Sequence, residues 1–378
     1  MKDKRNEILA RTLINYSTDL QPGEHIYIEM KGKEATELGK ECIRQATEKG
    51  GIPFWFYNDE SILRQFLQSA TEEQFKEMAE FHLAMMKKSA AYLGIRGSDN
   101  PFDLADIPEE RMAAYNRLFY RPVHLEQRVR FTKWCVMRFP NNAMAQLAQM
   151  PQEKFEEFYY DVCNVDYAKM SKAMDPLVKL MKQTEKVRLA GPGDTDLTFS
   201  IKDIGVVKCD GTRNIPDGEV YTAPVRESVN GVIQYNTPSL KDGTVYEDIR
   251  FEFKDGKIIK ATCKSSEDKL NKVLDTDENA RYIGEFSLGL NPMITMPMKD
   301  TLFDEKIGGS IHLTPGACYD EAPNGNKSDI HWDLIMIQTP EYGGGEIYFD
   351  DKLIRKDGKF TDASLEAGFT PENLKMEA

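Results

Sequence analysis

The chain has 378 residues, enough for two domains with a sizeable core, and its apolar and charged fractions are those of an ordinary soluble globular protein. A net charge of −13 argues against nucleic-acid and anionic-membrane partners, because either needs a basic face. The opening residues carry charge but no apolar h-region, no apolar run reaches the length of a membrane span, and six scattered cysteines form no CxxC pair. Free thiols in a reducing cytoplasm are therefore expected rather than a disulfide scaffold.

In chain order, "RNEILARTLINYSTDL" reads as an amphipathic helix stopped by "QPG", and "EHIYIEM" as a strand. "KEATELGKECIRQATEKGG" reads as a helix ending on paired glycines. "IPFWFYN" and "AAYLGIRG" read as buried strands on either side of the helical "TEEQFKEMAEFHLAMMKK". Residues 105 to 185 are expected to be mostly helical, interrupted by the strand-like "KWCVMRFP". This alternation predicts an α/β amino-terminal domain with an open, mainly parallel sheet covered by helices.

Near Glu185 the texture changes to short alternating strands separated by turn dipeptides. "FEFKDGKIIKATC" and "IYFDDKLIRKDGKF" each carry an Asp-Gly turn signal. The expected organisation is an α/β domain over residues 1–185 and a β-rich α+β domain over residues 186–378 that carries the functional site.

Familiar single motifs are missing: the chain has no HExxH, no GxSxG elbow and no P-loop. "GPGDTD" at Gly191 lacks the third glycine of a dinucleotide fingerprint and reads as a turn. Of only five histidines, His25, His82 and His124 sit in ordinary strand or helix contexts. His312 and His331 instead lie in "DEKIGGSIHLTPGACYDEAPNGNKSDIHWDL", among glycine-rich loops and acids, with Cys318 between them as a candidate thiol partner. "SDIHWDLIM" reads as a strand, which places His331 and Asp333 on one face and Trp332 on the other.

Upstream, Glu219 in "NIPDGEVYTAP" and Glu285 in "YIGEFSLGLN" are carboxylates in apolar strand contexts. Such a group is costly unless a cation or a hydrogen-bond network holds it. An ion-pair network would satisfy each glutamate singly. Two glutamates together with His312, His331 and Asp333 make a mixed N/O set suited to Zn²⁺, Co²⁺ or Mn²⁺, and five donors are too many for one tetrahedral zinc with an open position. They suit a pair of ions bridged by a carboxylate.

"NIPDGEVYTAPVRESVNGVIQYNTPS", "YIGEFSLGLNP", "TLFDEKIGGSIHLTPG" and "SDIHWDLIMIQTPEYGGGEIYFDDKLIRKDGKF" occur in the same order as in the aminopeptidase T family of metallo-aminopeptidases, which this chain resembles. The resemblance implies two divalent metal ions per chain, held at Glu219, Glu285, His312, His331 and Asp333. It further implies an active-site role for Tyr319 as hydrogen-bond donor to the reaction's oxyanion. Glu305 falls at an acidic position of the family, although its spacer to His312 is longer here than in some members. Glu285 or Glu305 is then the expected general base, and short peptides losing amino-terminal residues are the expected substrates. A cytoplasmic homodimer is also expected by resemblance. A hydrolase of other small amides, and a peptide-binding or scaffolding protein without turnover, are the competing readings.

Overall fold

The computed structural model describes residues 3–100 and 102–376. The chain divides into two compact units, one of residues 1–164, 211–215 and 376–378, the other of residues 165–210 and 216–375.

The first unit is built on a parallel sheet of order β2-β1-β3-β4-β8, with β1 at His25–Lys31, β2 at Ile52–Asn58, β3 at Ala91–Arg96, β4 at Lys133–Arg138 and β8 at Asn214–Ile215. Buried β1 and β3 run nearly continuously apolar, as parallel strands covered on both faces must. At the sheet edge, β2 alternates, leaving Trp55 exposed. The helices Ala35–Glu48 and Glu72–Lys88 connect the strands, the latter opened by a capping box in which Thr71 and Gln74 satisfy each other's backbone. His82 and His124 are buried among aromatic rings, and His82 Nδ1 lies 2.8 Å from the Tyr27 hydroxyl, so both belong to this core.

The second unit holds two antiparallel sheets. One has the order β14-β13-β10-β6-β5-β18-β19-β20. Its strands are β5 (Lys186–Ala190), β6 (Asp196–Ser200), β10 (Asn230–Gln234), β13 (Arg250–Lys254), β14 (Lys257–Thr262), β18 (Glu346–Phe349), β19 (Lys352–Lys356) and β20 (Lys359–Phe360). The other has the order β17-β16-β15-β9-β7. Its strands are β7 (Val207–Cys209), β9 (Glu219–Thr222), β15 (Ile283–Gly289), β16 (Ser310–Pro315) and β17 (Ile335–Ile337). A separate hairpin pairs β11 (Ser239–Lys241) with β12 (Thr244–Tyr246). The Asp-Gly signals at 255–256 and 357–358 fall in the turns joining β13 to β14 and β19 to β20, with both residues of each at positive φ.

Two expectations need adjustment. The division between units falls at Asn164/Val165 rather than near residue 185, because the helix Tyr167–Gln183 belongs with the β-rich unit. That helix is amphipathic like its predecessors, so nothing in its own pattern assigns it to a side. The run Ser328–Met336 is not a continuous strand, since regular pairing starts only at Ile335. His331 forms an isolated bridge to Gly316, and the Trp332 amide donates to the Pro315 carbonyl.

Candidate metal centre

Register places the site. Gly289 pairs with Glu219, Ser287 with both Tyr221 and His312, and Glu285 with Thr314. Directly paired residues and residues two apart share a face, so Glu219, Glu285, Ser287, His312 and Thr314 project from one side. Val220, Phe286, Leu288, Ile311 and Leu313 project from the other, where the Phe286 ring meets that of Phe199 at 5.0 Å. The apolar face buries the sheet, and every residue of β15 is buried, Glu285 included. Polar residues on the opposite face therefore need partners.

The polar face supplies them. His312 Nε2 lies 3.2 Å from Glu285 Oε1 and 3.5 Å from Glu219 Oε2. His331 Nε2 lies 3.2 Å from Glu285 Oε2 and 3.3 Å from Asp333 Oδ1. The loss of strand geometry between 328 and 334 thus leaves His331 and Asp333 adjacent, while Trp332 turns away to donate to Ser239 Oγ. Gly316 makes that approach possible. Its φ is +109°, and a Cβ there would stand 2.0 Å from the Ile330 carbonyl oxygen. Ser287 Oγ donates to Glu219 Oε2 at 3.1 Å, and Thr314 Oγ1 to Asp333 Oδ1 at 2.7 Å. The Tyr319 ring, half-exposed, covers the His331 ring at a centroid distance of 4.6 Å.

Two groups of donor atoms result: Glu219, Glu285 and His312, and Glu285, His331 and Asp333, each with its atoms within 4.8 Å of one another. Glu285 belongs to both. A further group of Cys209, Asp217 and Glu219 satisfies the same distances. There the buried ammonium of Lys306 lies 3.1 Å from Glu219 Oε1 and 3.8 Å from Asp217 Oδ1, so a cation is already supplied. Lys306 also ion-pairs with Glu305, which stands outside all three groups.

The imidazoles test whether these residues fit a metal. His331 Nδ1 lies 2.8 Å from the Ala317 carbonyl oxygen, an acceptor only, so Nδ1 carries the proton. Nε2 then faces two carboxylate oxygens at ion-pair distance, yet makes no hydrogen bond with proper geometry. A lone pair among acceptors calls for a cation, and the mixed N/O donors suit a divalent first-row ion. The residues fit.

Without metal, protons take that place. Against the desolvation of burial, Asp333 and Glu285 push His331 up to about 11, and Glu219 and Glu285 push His312 up to about 9. Although burial opposes it, the imidazoles hold Asp333 and Glu285 below the usual carboxylate range. Glu305 differs: burial raises it to about 8 despite Lys306.

The linkage has a definite sign. For His312 and His331 the folded values exceed the unfolded value of 6.5, so their stabilisation is complete below pH 6.5. It is lost as pH rises through about 9 and about 11. Glu305, raised from 4.5 to about 8, acts in the same sense, while Glu285 and Asp333 lose their contribution only in acid. Chelated protein should therefore melt at progressively lower temperature from pH 7 to pH 10 in differential scanning fluorimetry. A flat or rising trend would contradict this charge assignment. Metal binding near pH 7.5 should also release protons, measurable by calorimetry in buffers of different ionisation enthalpy.

The sequence did not single out Ser287, Thr314 or Lys306. The first two had a usable signal, since each lies two residues beyond a named donor on a strand. Lys306 had none, because "DEK" reads as a solvated charge run. Removing the hydroxyls in Ser287→Ala or Thr314→Ala should weaken metal binding about 10- to 100-fold in competition titrations with a chelator. An unchanged affinity would show that these contacts do not orient the carboxylates.

A buried sheet face that gathers imidazoles and carboxylates around shared donor atoms is the site of a metal-dependent enzyme. The chain belongs to the thermophilic metalloprotease (M29) family, whose sequence profile matches residues 2–360, and is therefore a peptide-bond hydrolase with a divalent metal cofactor. It is 29% identical over 397 residues to aminopeptidase T of Thermus thermophilus, spanning 92% of this chain and 96% of the relative. The solved structure of wild-type AmpT from Thermus thermophilus superposes with a TM-score of 0.77 at 24% identity, covering 95% of this chain and 99% of that one. The 2,5-dihydroxypyridine dioxygenase of Pseudomonas putida KT2440 shares the fold at a TM-score of 0.63 and 10% identity, covering 97% and 99% of the two chains. This fold thus hosts a second chemistry, and function has to be argued from the site.

Proposed function

We propose that this protein is an aminopeptidase that removes amino-terminal residues from short peptides at a site of two divalent ions, Zn²⁺, Co²⁺ or Mn²⁺. The observation that supports this reading is the sharing of Glu285 between two donor groups: with it, Glu219 and His312 would hold one ion, and His331 and Asp333 the other. Such ions supply Lewis-acid polarisation of the scissile carbonyl and activation of a water.

The remaining work falls to the chain's own residues. Glu219, Glu285 and His312 are closed off, with side chains 7%, 4% and 1% exposed, whereas His331 and Asp333 are 22% and 13% exposed. Substrate therefore enters over His331 and Asp333, beneath Tyr319. The Tyr319 hydroxyl, kept protonated, donates to the oxygen on which negative charge develops. With Glu285 committed to both donor groups, Glu305 is the proton carrier. Its Oε1 is anchored by Lys306, and Oε2 would take the proton from the attacking water and pass it to the leaving amine.

Tyr319→Phe should lower kcat about 10²–10³-fold while metal content stays constant. An unchanged kcat would remove Tyr319 from the oxyanion role. The functional reading is tested with amino-acid p-nitroanilides and short peptides on native, chelated and Co²⁺- or Zn²⁺-reloaded protein. Activity should disappear on chelation, return on reloading, and be absent towards amino-terminally acetylated peptides. Cleavage of acetylated peptides would point to other amides, and no turnover after reloading would point to a binding protein.

A further inference from the structure

A cavity of about 460 Å³ in the second unit shares no residue with the donor groups. Gly289, Gly308, Gly309 and Gly358 line it with backbone, and Leu290, Phe360 and Phe369 make it apolar. Arg355 of β19 forms part of its wall and is only 1% exposed. Its Nη2 donates to the Ser310 carbonyl at 2.7 Å and to Gln338 Oε1 at 3.0 Å. Nε and Nη1 find no acceptor among the described residues; the Glu366 carboxylate acts on the guanidinium through space, and the Phe360 ring centroid lies 6.0 Å from its Cζ.

Ser310 Oγ is likewise buried without a partner among the described residues. A Cβ on the cavity-lining Gly289 would stand 2.5 Å from that oxygen, so the hydroxyl lies just behind the glycine floor. The wall thus combines a buried guanidinium that has no salt-bridge contact among the described residues with spare donors. Holding the Ser310 carbonyl and Gln338 requires donors but no charge, and a buried charge without a direct ion-pair partner is costly. Burial accordingly pulls the guanidinium down to about 9.

Acids occupy other parts of the lining. Glu366 accepts from the Phe360 amide and Asp357 from the Gly345 amide, and Glu341 and Glu372 line the cavity as well. Lys359, exposed, is the other cation of the lining, and four carboxylates against two cations disfavour a phosphate or another multiply charged anion. A buried cation, acids without a salt-bridge contact to it and aromatic rings in the same lining match a small molecule with both charges and an apolar body. We propose that this cavity binds a free α-amino acid with an apolar side chain. The carboxylate is directed to Arg355, the ammonium to the lining acids, and the side chain to Phe360 and Phe369. This assignment is independent of the peptidase reading. Gly289 and Ser310 belong to β15 and β16, the strands that carry Glu285 and His312, so an occupant abuts the elements of the metal centre.

Calorimetric titration of the metal-loaded protein with L-leucine, 4-methylpentanoate and isoamylamine tests the assignment. Leucine should bind at one site per chain that persists in Glu285→Gln and weakens at least tenfold in Arg355→Met. 4-Methylpentanoate should retain part of the binding, and isoamylamine, lacking the carboxylate, essentially none. Phe369→Trp, which fills the cavity and leaves the Arg355 contacts intact, should abolish it even if Arg355→Met fails to fold. Absence of leucine binding at millimolar concentration, loss of binding in Glu285→Gln, full retention in Phe369→Trp, or equal binding of isoamylamine would each overturn the proposal.

Discussion

Replacing Glu285 with glutamine is expected to lower kcat/KM by about 10³-fold or more, and to leave fewer than two ions per chain. Glu285 sits wholly buried at the junction of the two donor groups, with Oε1 towards His312 and Oε2 towards His331. An amide keeps the volume but has one acceptor oxygen and no charge, so it cannot serve both groups. Losing even one ion forfeits several kcal/mol of transition-state charge stabilisation, and about 4 kcal/mol is a thousandfold. Circular dichroism would establish that the variant folds. A variant that retained two ions and most of its activity would remove the shared carboxylate from the account.

Glu305→Gln should behave differently. It stands outside both donor groups, so two ions should remain, while kcat falls about 10²–10⁴-fold, the range for loss of a proton-transferring side chain. Steady-state kinetics paired with metal analysis separates the outcomes. Loss of an ion would make Glu305 a ligand, and unchanged kcat would return the proton-transfer role to Glu285 or to solvent. Lys306 bears on this result, because its buried ammonium joins Glu305 to Glu219. In Glu305→Gln that ammonium keeps Glu219 and Asp217 as partners, so the variant should fold.

Much of this arrangement could be read from the sequence, for reasons that differ by element. In the first unit the strand run "IPFWFYN" coincides with β2, and "KWCVMRFP" contains β4 and overruns it by Phe139 and Pro140, because parallel strands and connecting helices write their periods plainly into the chain. In the second unit the carboxylates of Glu219 and Glu285 stood out because apolar strands seldom carry unpaired acids. What could not be read was sheet register. Pairing of Ser287 with His312, and of Gly289 with Glu219, brings together residues that lie far apart in the chain, and only the fold supplies that. The pairing of His331 with Asp333 was expected from strand alternation, but it arises in an irregular segment braced by Gly316 and the Ala317 carbonyl. The Asp350–Asp351 turn between β18 and β19 escaped notice because neither residue is glycine, although both take positive φ. Arg355 was likewise silent, since an arginine in "KLIRKDG" reads as a surface charge until its burial is seen.

The central claim is that Glu285 is shared by two ions. Anomalous diffraction from crystals of Zn²⁺-loaded protein, recorded on both sides of the zinc absorption edge, tests it most directly. Two peaks should flank the Glu285 carboxylate, one beside Glu219 and His312, the other beside His331 and Asp333. A single peak, or peaks that leave Glu285 uncoordinated, would contradict the account.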